Sequence, residues 1–258
     1  MYKYLFLGAL PLAVATVLLL QADSHRVTKI PHAVSPQTQA GKGFAIVELF
    51  TSQGCSSCPP ADALLGKLAM EHDEQVMPIA FHVDYWNRLG WKDPFSNPRY
   101  SQRQRDYASQ FNLDGVYTPQ AVVNGKRQMV GSDAHLLAAA IMEAKATAPI
   151  VNISIVALSQ QADSINIQYT IAGADNSATL HAVLLQEQVE TDIKAGENKG
   201  LSLNNYCIAR DIQTTSATSS GKLLLSMPRP NTDAAFSVVL FVQQDDGKIV
   251  GATKKKLR

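Results

Sequence analysis

Cys55-Ser56-Ser57-Cys58, set between an apolar run and an amphipathic stretch, constrains this chain more than any other feature. Phe44-Ala45-Ile46-Val47-Glu48-Leu49-Phe50 before it reads as a buried strand, and Pro59 to Met70 after it reads as a helix. That helix carries Ala61, Leu64, Leu65 and Leu68 on one face at i, i+3, i+4, i+7 spacing. Pro59 and Pro60 fall in its first turn, where a missing N–H costs little. Strand, turn and helix together bring a Cys-x-x-Cys pair to a helix start, where the macrodipole can lower a thiol pKa. The thiolate is the form that attacks disulfides and binds soft metals, so this placement points to redox or metal chemistry on sulfur.

The N-terminus bears on how the pair is read. Lys3 precedes an apolar run from Tyr4 to Leu20, and Ala22-Asp23-Ser24 offers a weak small-x-small cleavage site. Residues 1–24 therefore read as a signal peptide or, since the run is long, as an N-terminal membrane anchor. Both predict export to a periplasmic or extracellular compartment, where a Cys-x-x-Cys can rest as a disulfide. A bridge over so short a loop constrains the unfolded chain little, which favours catalysis over stapling. The third cysteine, Cys207, sits in an apolar-patterned stretch and reads as a buried, inert thiol.

Residues 25–43 are polar, with Pro31, Pro36 and Gly41, and read as a linker. Val76 to Val83 predicts a second buried strand. Asp84 to Asn97 is rich in aromatics and turn residues, and a polar helix is expected from Arg99 to Phe111. Thr118-Pro119 then opens a hairpin whose turn is Asn124-Gly125. Gly131-Ser132-Asp133 caps a last helix bearing Leu136, Leu137, Ala140, Ile141 and Ala144 on one face. Beyond Ala148-Pro149 the helical periodicity ends, and about seven short β-branched runs between residues 150 and 252 predict a sandwich or barrel. With 258 residues, 46% of them hydrophobic and 17% charged, and a net charge of +1, nothing in the balance points to nucleic acid. The basic ending Lys254-Lys255-Lys256-Leu257-Arg258 reads as a solvated tail.

Cys-x-x-Cys at a helix start with Thr118-Pro119 downstream resembles the thioredoxin-like fold. The longer string Val47 to Asp62, with Phe81-His82-Val83-Asp84-Tyr85-Trp86, Tyr117-Thr118-Pro119-Gln120 and Gly196-Glu197-Asn198, more narrowly resembles a bacterial exported thioredoxin-like family of unknown function. This resemblance implies a thioredoxin-like α/β domain over 44–148 with a helical, aromatic insert, followed by an all-β, sandwich-like domain over 149–258. It implies a thiol–disulfide oxidoreductase or isomerase with a redox-active Cys55–Cys58 disulfide. Cys55, expected at the exposed turn, would attack, and Cys58 would resolve the mixed disulfide. Pro119 is expected to be cis, presenting backbone groups of Thr118 to a peptide substrate.

Glu48 interrupts an apolar strand. By the resemblance it is a buried acid beneath the dithiol, moving a proton to or from Cys58; otherwise it is a strand-edge residue facing solvent or a lysine. Tyr85 and Trp86, with Trp91, form either a substrate-binding wall or the core of the insert. His82 with Cys55 and Cys58 raises a soft-metal chaperone for zinc or copper as the rival reading, without a fourth ligand at recognisable spacing. A non-catalytic envelope binding module is the other rival. No organic cofactor is expected, because the dithiol is itself the redox group. The expected partners are protein thiols or disulfides and an unidentified redox partner.

Overall fold

Alternating and continuous apolar runs become eleven strands among the described residues of this computed structural model, which are 42–175, 177–228 and 234–257. The apolar leader and all but the last two linker residues lie outside that range. The first half runs β1 (Ala45–Thr51), α1 (Pro59–Met70), β2 (Val76–His82), a 3₁₀ turn (Tyr85–Leu89), α2 (Pro98–Gln110), β3 (Gln120–Val123), β4 (Arg127–Val130) and α3 (Ala134–Lys145). Asn124 and Gly125, at φ of 47° and 65°, make the β3–β4 turn, and the Asn124 side chain ties it to the backbone of Phe44 and Ile46. The second half is β5 (Asn152–Gln160), β6 (Ser164–Ala172), β7 (Thr179–Asp192), β8 (Ser202–Ser216), β9 (Ser220–Ser226), β10 (Phe236–Gln243) and β11 (Ile249–Lys256).

Eight of these strands form one mixed sheet in the order β11-β10-β7-β8-β2-β1-β3-β4. β1 and β2 are parallel and fully buried, with apolar side chains on both faces apart from Glu48, Thr51 and His82, as suits parallel strands under helices. β3 and β4 run antiparallel beside β1, while β8, β7, β10 and β11 make an antiparallel array. The two parts join where β8 lies parallel to β2, paired at Ala80 and Ile208. A second sheet, β5-β6-β9, covers one face of β7 and β10 through Ile165, Ile167, Leu225, Leu184 and Leu240.

This architecture corrects the expected division into a thioredoxin-like α/β domain and a separate β-sandwich. The chain is mostly β, and its large sheet runs through the expected boundary at residues 148–149. The core crosses it too: Ile46, Phe50, Ile79 and Phe81 pack with Val183, Leu185, Val239 and Phe241 in one cluster. The seven runs of the second half are strands, but only three of them form a sheet of their own. Periodicity locates buried strands and is silent on their neighbours, which is why the join escaped a sequence reading.

The basic ending also differs from a solvated tail. Lys254, Lys255 and Lys256 complete β11, and Lys254 Nζ pairs with Glu187 at 3.1 Å. Cys207 is free and buried, with burial pushing its thiol up to about 12.

Candidate functional site

β1 ends at Thr51, and a tight turn carries the chain into α1 through the cysteines. Cys55 N–H donates to Ser52 O at 3.1 Å, and Cys58 N–H donates to Cys55 O at 3.2 Å. Cys58 is the N-cap of α1, and its carbonyl accepts from Ala61 and Asp62 at 2.9 and 3.1 Å. Pro59 and Pro60 take the first helical positions, where their missing N–H groups leave no bond unmade. Cys55 and Cys58 are joined as a disulfide, with Cα atoms 5.4 Å apart. Ser56 and Ser57 are exposed, but both cysteines are fully covered, contrary to the expectation that Cys55 would be exposed at the turn.

Part of that cover comes from the loop before β3. The Thr118–Pro119 bond is cis, and Thr118 Oγ1 lies 3.3 Å from Cys55 Sγ. Ser57 Oγ is 3.4 Å from the same sulfur and 3.4 Å from Thr118 O. Trp86 Nε1–H donates to Thr118 Oγ1 at 2.8 Å, which aims that hydroxyl, and Tyr85 O–H donates to Gln104 Oε1 at 3.1 Å. Both aromatics are half-buried and pack against the main core, so they back the Thr118 loop from inside.

Glu48 is buried but belongs to the other face of the sheet. Side chains alternate across β1, so Val47 and Leu49 meet α1 and α3 while Ile46, Glu48 and Phe50 face α2. There Glu48 binds Arg103 and accepts from Tyr107 O–H, an arrangement that corrects its expected place beneath the dithiol. The acid on the cysteines' face is Asp62, one turn into α1 from Cys58. Burial pushes its carboxyl up to about 6, opposed by the charge of His82. His82 Nδ1 sits 2.7 Å from Asp93 Oδ2, both residues being buried. Burial works against the imidazolium, but Asp93 outweighs it and raises the His82 pKa, while Asp93 itself is held below the usual carboxylate range. His82 is thus engaged by Asp93, and among the described residues no group of three or more His, Cys, Asp or Glu side chains is arranged to hold a metal.

A third set of contacts arrives from the second half of the chain, where a sequence reading gave no role. Between β7 and β8, Asn198 Nδ2 donates to Gln53 O and to Cys55 O, each at 2.9 Å, and Glu197 Oε2 accepts from Ser56 N–H at 2.9 Å. The Gln53 side chain is held between Asn205 of β8 and Trp91 Nε1–H, at 2.6 and 3.1 Å, while its N–H donates to Asp93 Oδ2 at 2.8 Å. The cysteine turn is therefore fixed from three directions: the Thr118 loop, the 3₁₀ segment with Trp91 and Asp93, and the β7–β8 loop. Only the tripeptide Gly196-Glu197-Asn198, singled out by the family resemblance, hinted at the last of these.

A crystal structure of a protein from Agrobacterium tumefaciens is 27% identical, with a TM-score of 0.61 over 83% of this chain and 95% of that one. A protein of the DUF3823 family from Parabacteroides merdae, 14% identical over 84% of this chain and 100% of that one, reaches a TM-score of only 0.26 and supports no argument. No protein with a curated description matches. Residues 46–243, most of the described chain and the whole of the cysteine site, match the family described as protein of unknown function DUF1223, and the chain belongs to that family.

Proposed function

We propose that this chain is an exported thiol–disulfide oxidoreductase or isomerase that exchanges disulfides with protein thiols through Cys55 and Cys58. The observation that carries the reading is the contact of Thr118 Oγ1 with Cys55 Sγ, beside a disulfide that ends at the N-cap of α1. The Thr118 and Ser57 hydroxyls are in reach to donate to a Cys55 thiolate, which favours the charged form. In the oxidising direction a substrate thiolate attacks Cys55 Sγ, the Cys55–Cys58 bond breaks, and Cys58 leaves as a thiolate beside the positive end of α1. A second substrate thiolate then attacks the substrate sulfur of the mixed disulfide and expels Cys55 as a thiolate. The substrate is left with a disulfide, and the chain holds both electrons in its dithiol. Run backward, the same steps reduce a substrate disulfide. Export rests on the charged-then-apolar leader of the sequence.

The test is to produce Cys58→Ala in cells and analyse it under non-reducing conditions. Without a resolving thiol, Cys55 should accumulate mixed disulfides with exported proteins, and Cys55→Ala should accumulate none. A Cys58→Ala chain that forms no adducts, although folded and exported, overturns the proposal.

One observation favours a second reading, a structural bridge: neither sulfur-bearing residue is exposed. A disulfide that resists glutathione, with a potential below about −300 mV, would establish that reading. Exchange at measurable rates with a potential above that value would dismiss it.

A further inference from the structure

Glu197 is an exposed carboxylate that the protein holds against the dithiol turn from far along the sequence. Its Oε2 takes the N–H of Ser56, the residue immediately after Cys55, and hydrogen bonding from the Ser56 side chain and then from that N–H keeps its own pKa below the usual glutamate range. The neighbouring Asn198 is buried and bonded to Cys55 O, so the loop cannot lift at Glu197 without breaking a contact to the cysteine itself. Lys194 and Lys199 flank Glu197 in the same loop, Lys194 being paired with Asp192 at 3.2 Å. On the buried side, Asp62, His82 and Asp93 lie behind the motif. Ser57 and Thr118, which meet Cys55 Sγ directly, carry no charge.

A carboxylate on the Ser56 N–H has two effects of the same sign on a Cys55 thiolate. It engages the backbone N–H next to Cys55, a donor that would otherwise be free to favour a neighbouring anion. It also adds a like charge close by, which disfavours the thiolate. The oxidised pair carries no charge on sulfur and feels neither effect. Reduction breaks the Cys55–Cys58 bond, takes up two electrons, and leaves a thiolate at Cys55 once the pH exceeds its pKa. The charge on Glu197 therefore destabilises the reduced form relative to the disulfide.

We propose that Glu197 sets the reduction potential of the Cys55–Cys58 pair, holding it more reducing than the cysteine turn alone would be. The inference rests on the thiol–disulfide reading above. Glu197 acts through Ser56 and the local field, and takes no part in bond exchange.

Glu197→Gln is the informative variant, because its amide oxygen can still accept from Ser56 N–H while the charge is gone. The full chain and the variant would be equilibrated with reduced and oxidised glutathione at a pH above the Cys55 pKa. That pKa would be taken from the pH dependence of alkylation. The expected result is a Cys55 pKa lower by about half a unit to one unit. With it, the equilibrium constant should shift about three- to tenfold toward the dithiol, a tenfold change being about 30 mV. Raising the ionic strength should narrow the gap, because an exposed charge is screened. A merely structural role would move thermal stability without this salt-dependent shift. Unchanged pKa and potential in a variant that still exchanges overturn the inference alone. Failure of the wild-type chain to exchange with glutathione or dithiothreitol overturns the underlying redox reading instead.

Discussion

Both carboxylate oxygens of Glu48 are held by the guanidinium of Arg103, at 2.5 Å from Nε and 3.1 Å from Nη2, in the protein interior. The Arg103 guanidinium carbon also lies 5.1 Å from the Tyr107 ring centre and 5.3 Å from that of Phe241, so the pair ties α2 to strands of both halves. Removing one partner strands a buried charge. Glu48→Gln or Arg103→Met should cost about 3–5 kcal/mol in denaturant unfolding. The reduction potential of the cysteines should stay where it is, since Glu48 faces away from them. A potential that shifts with Glu48→Gln would contradict this placement.

Asp62 gives the protein a pH signature. Its pKa rises from 3.8 unfolded to about 6 folded, so the folded state binds the extra proton between those values. Stability should therefore fall as pH rises through that window, by up to about 3 kcal/mol from this group. His82, also raised above its ordinary value, continues the fall at higher pH. Asp62→Asn should flatten the decline between about pH 4 and 6 and leave the oxidised protein more stable than wild type at pH 7. Urea unfolding of both proteins across that range is the check, and parallel curves would rule it out.

The join between the halves can be probed at Gly66. A Cβ placed there would come within 2.6 Å of the Tyr206 ring, where α1 packs on β8. Helix propensity alone favours Gly66→Ala by about 1 kcal/mol. Contact with Tyr206 predicts the opposite sign, a loss of about 1–3 kcal/mol. Recovery on adding Tyr206→Ala would assign the loss to that contact.

Thr118→Val keeps the shape of the loop and removes its hydroxyl. Trp86 Nε1–H then loses its acceptor, and Cys55 Sγ loses a donor. The expected cost is about 1–3 kcal/mol in the folded oxidised protein. The Cys55 thiol pKa, read from alkylation of reduced protein, should rise, because one hydrogen bond to the thiolate has gone. A pKa that falls or stays would show that the hydroxyl does not serve the sulfur.

Local structure was legible where the chain states it locally. The Pro59–Met70 helix follows from four apolar residues on one face, and the Asn124–Gly125 turn follows from two residues that tolerate positive φ. The pairing of β2 with β8 was not legible, because a run such as Ile208 to Ile212 looks the same beside any neighbour. Glu48 was rightly read as anomalous, yet a single residue does not announce which face of β1 it takes until the register is known. Nothing local marks Asp62, an acidic residue in the first turn of a helix, as buried; its burial comes from tertiary packing. Glu197 and Asn198 sit in a loop whose sequence carries no chemistry of its own. Their meaning lies entirely in what they reach.

Asn198 and Cys55 are 143 residues apart in the chain, and Gln53 and Asn205 are 152. Ribosomal synthesis begins at the N-terminus, so the cysteines are made before the residues of the β7–β8 loop and β8 that help to cover them. Contacts so distant in sequence form late. The turn is thus completed by residues made well after it, and a chain ending before β8 would leave Cys55 and Cys58 without that part of their cover.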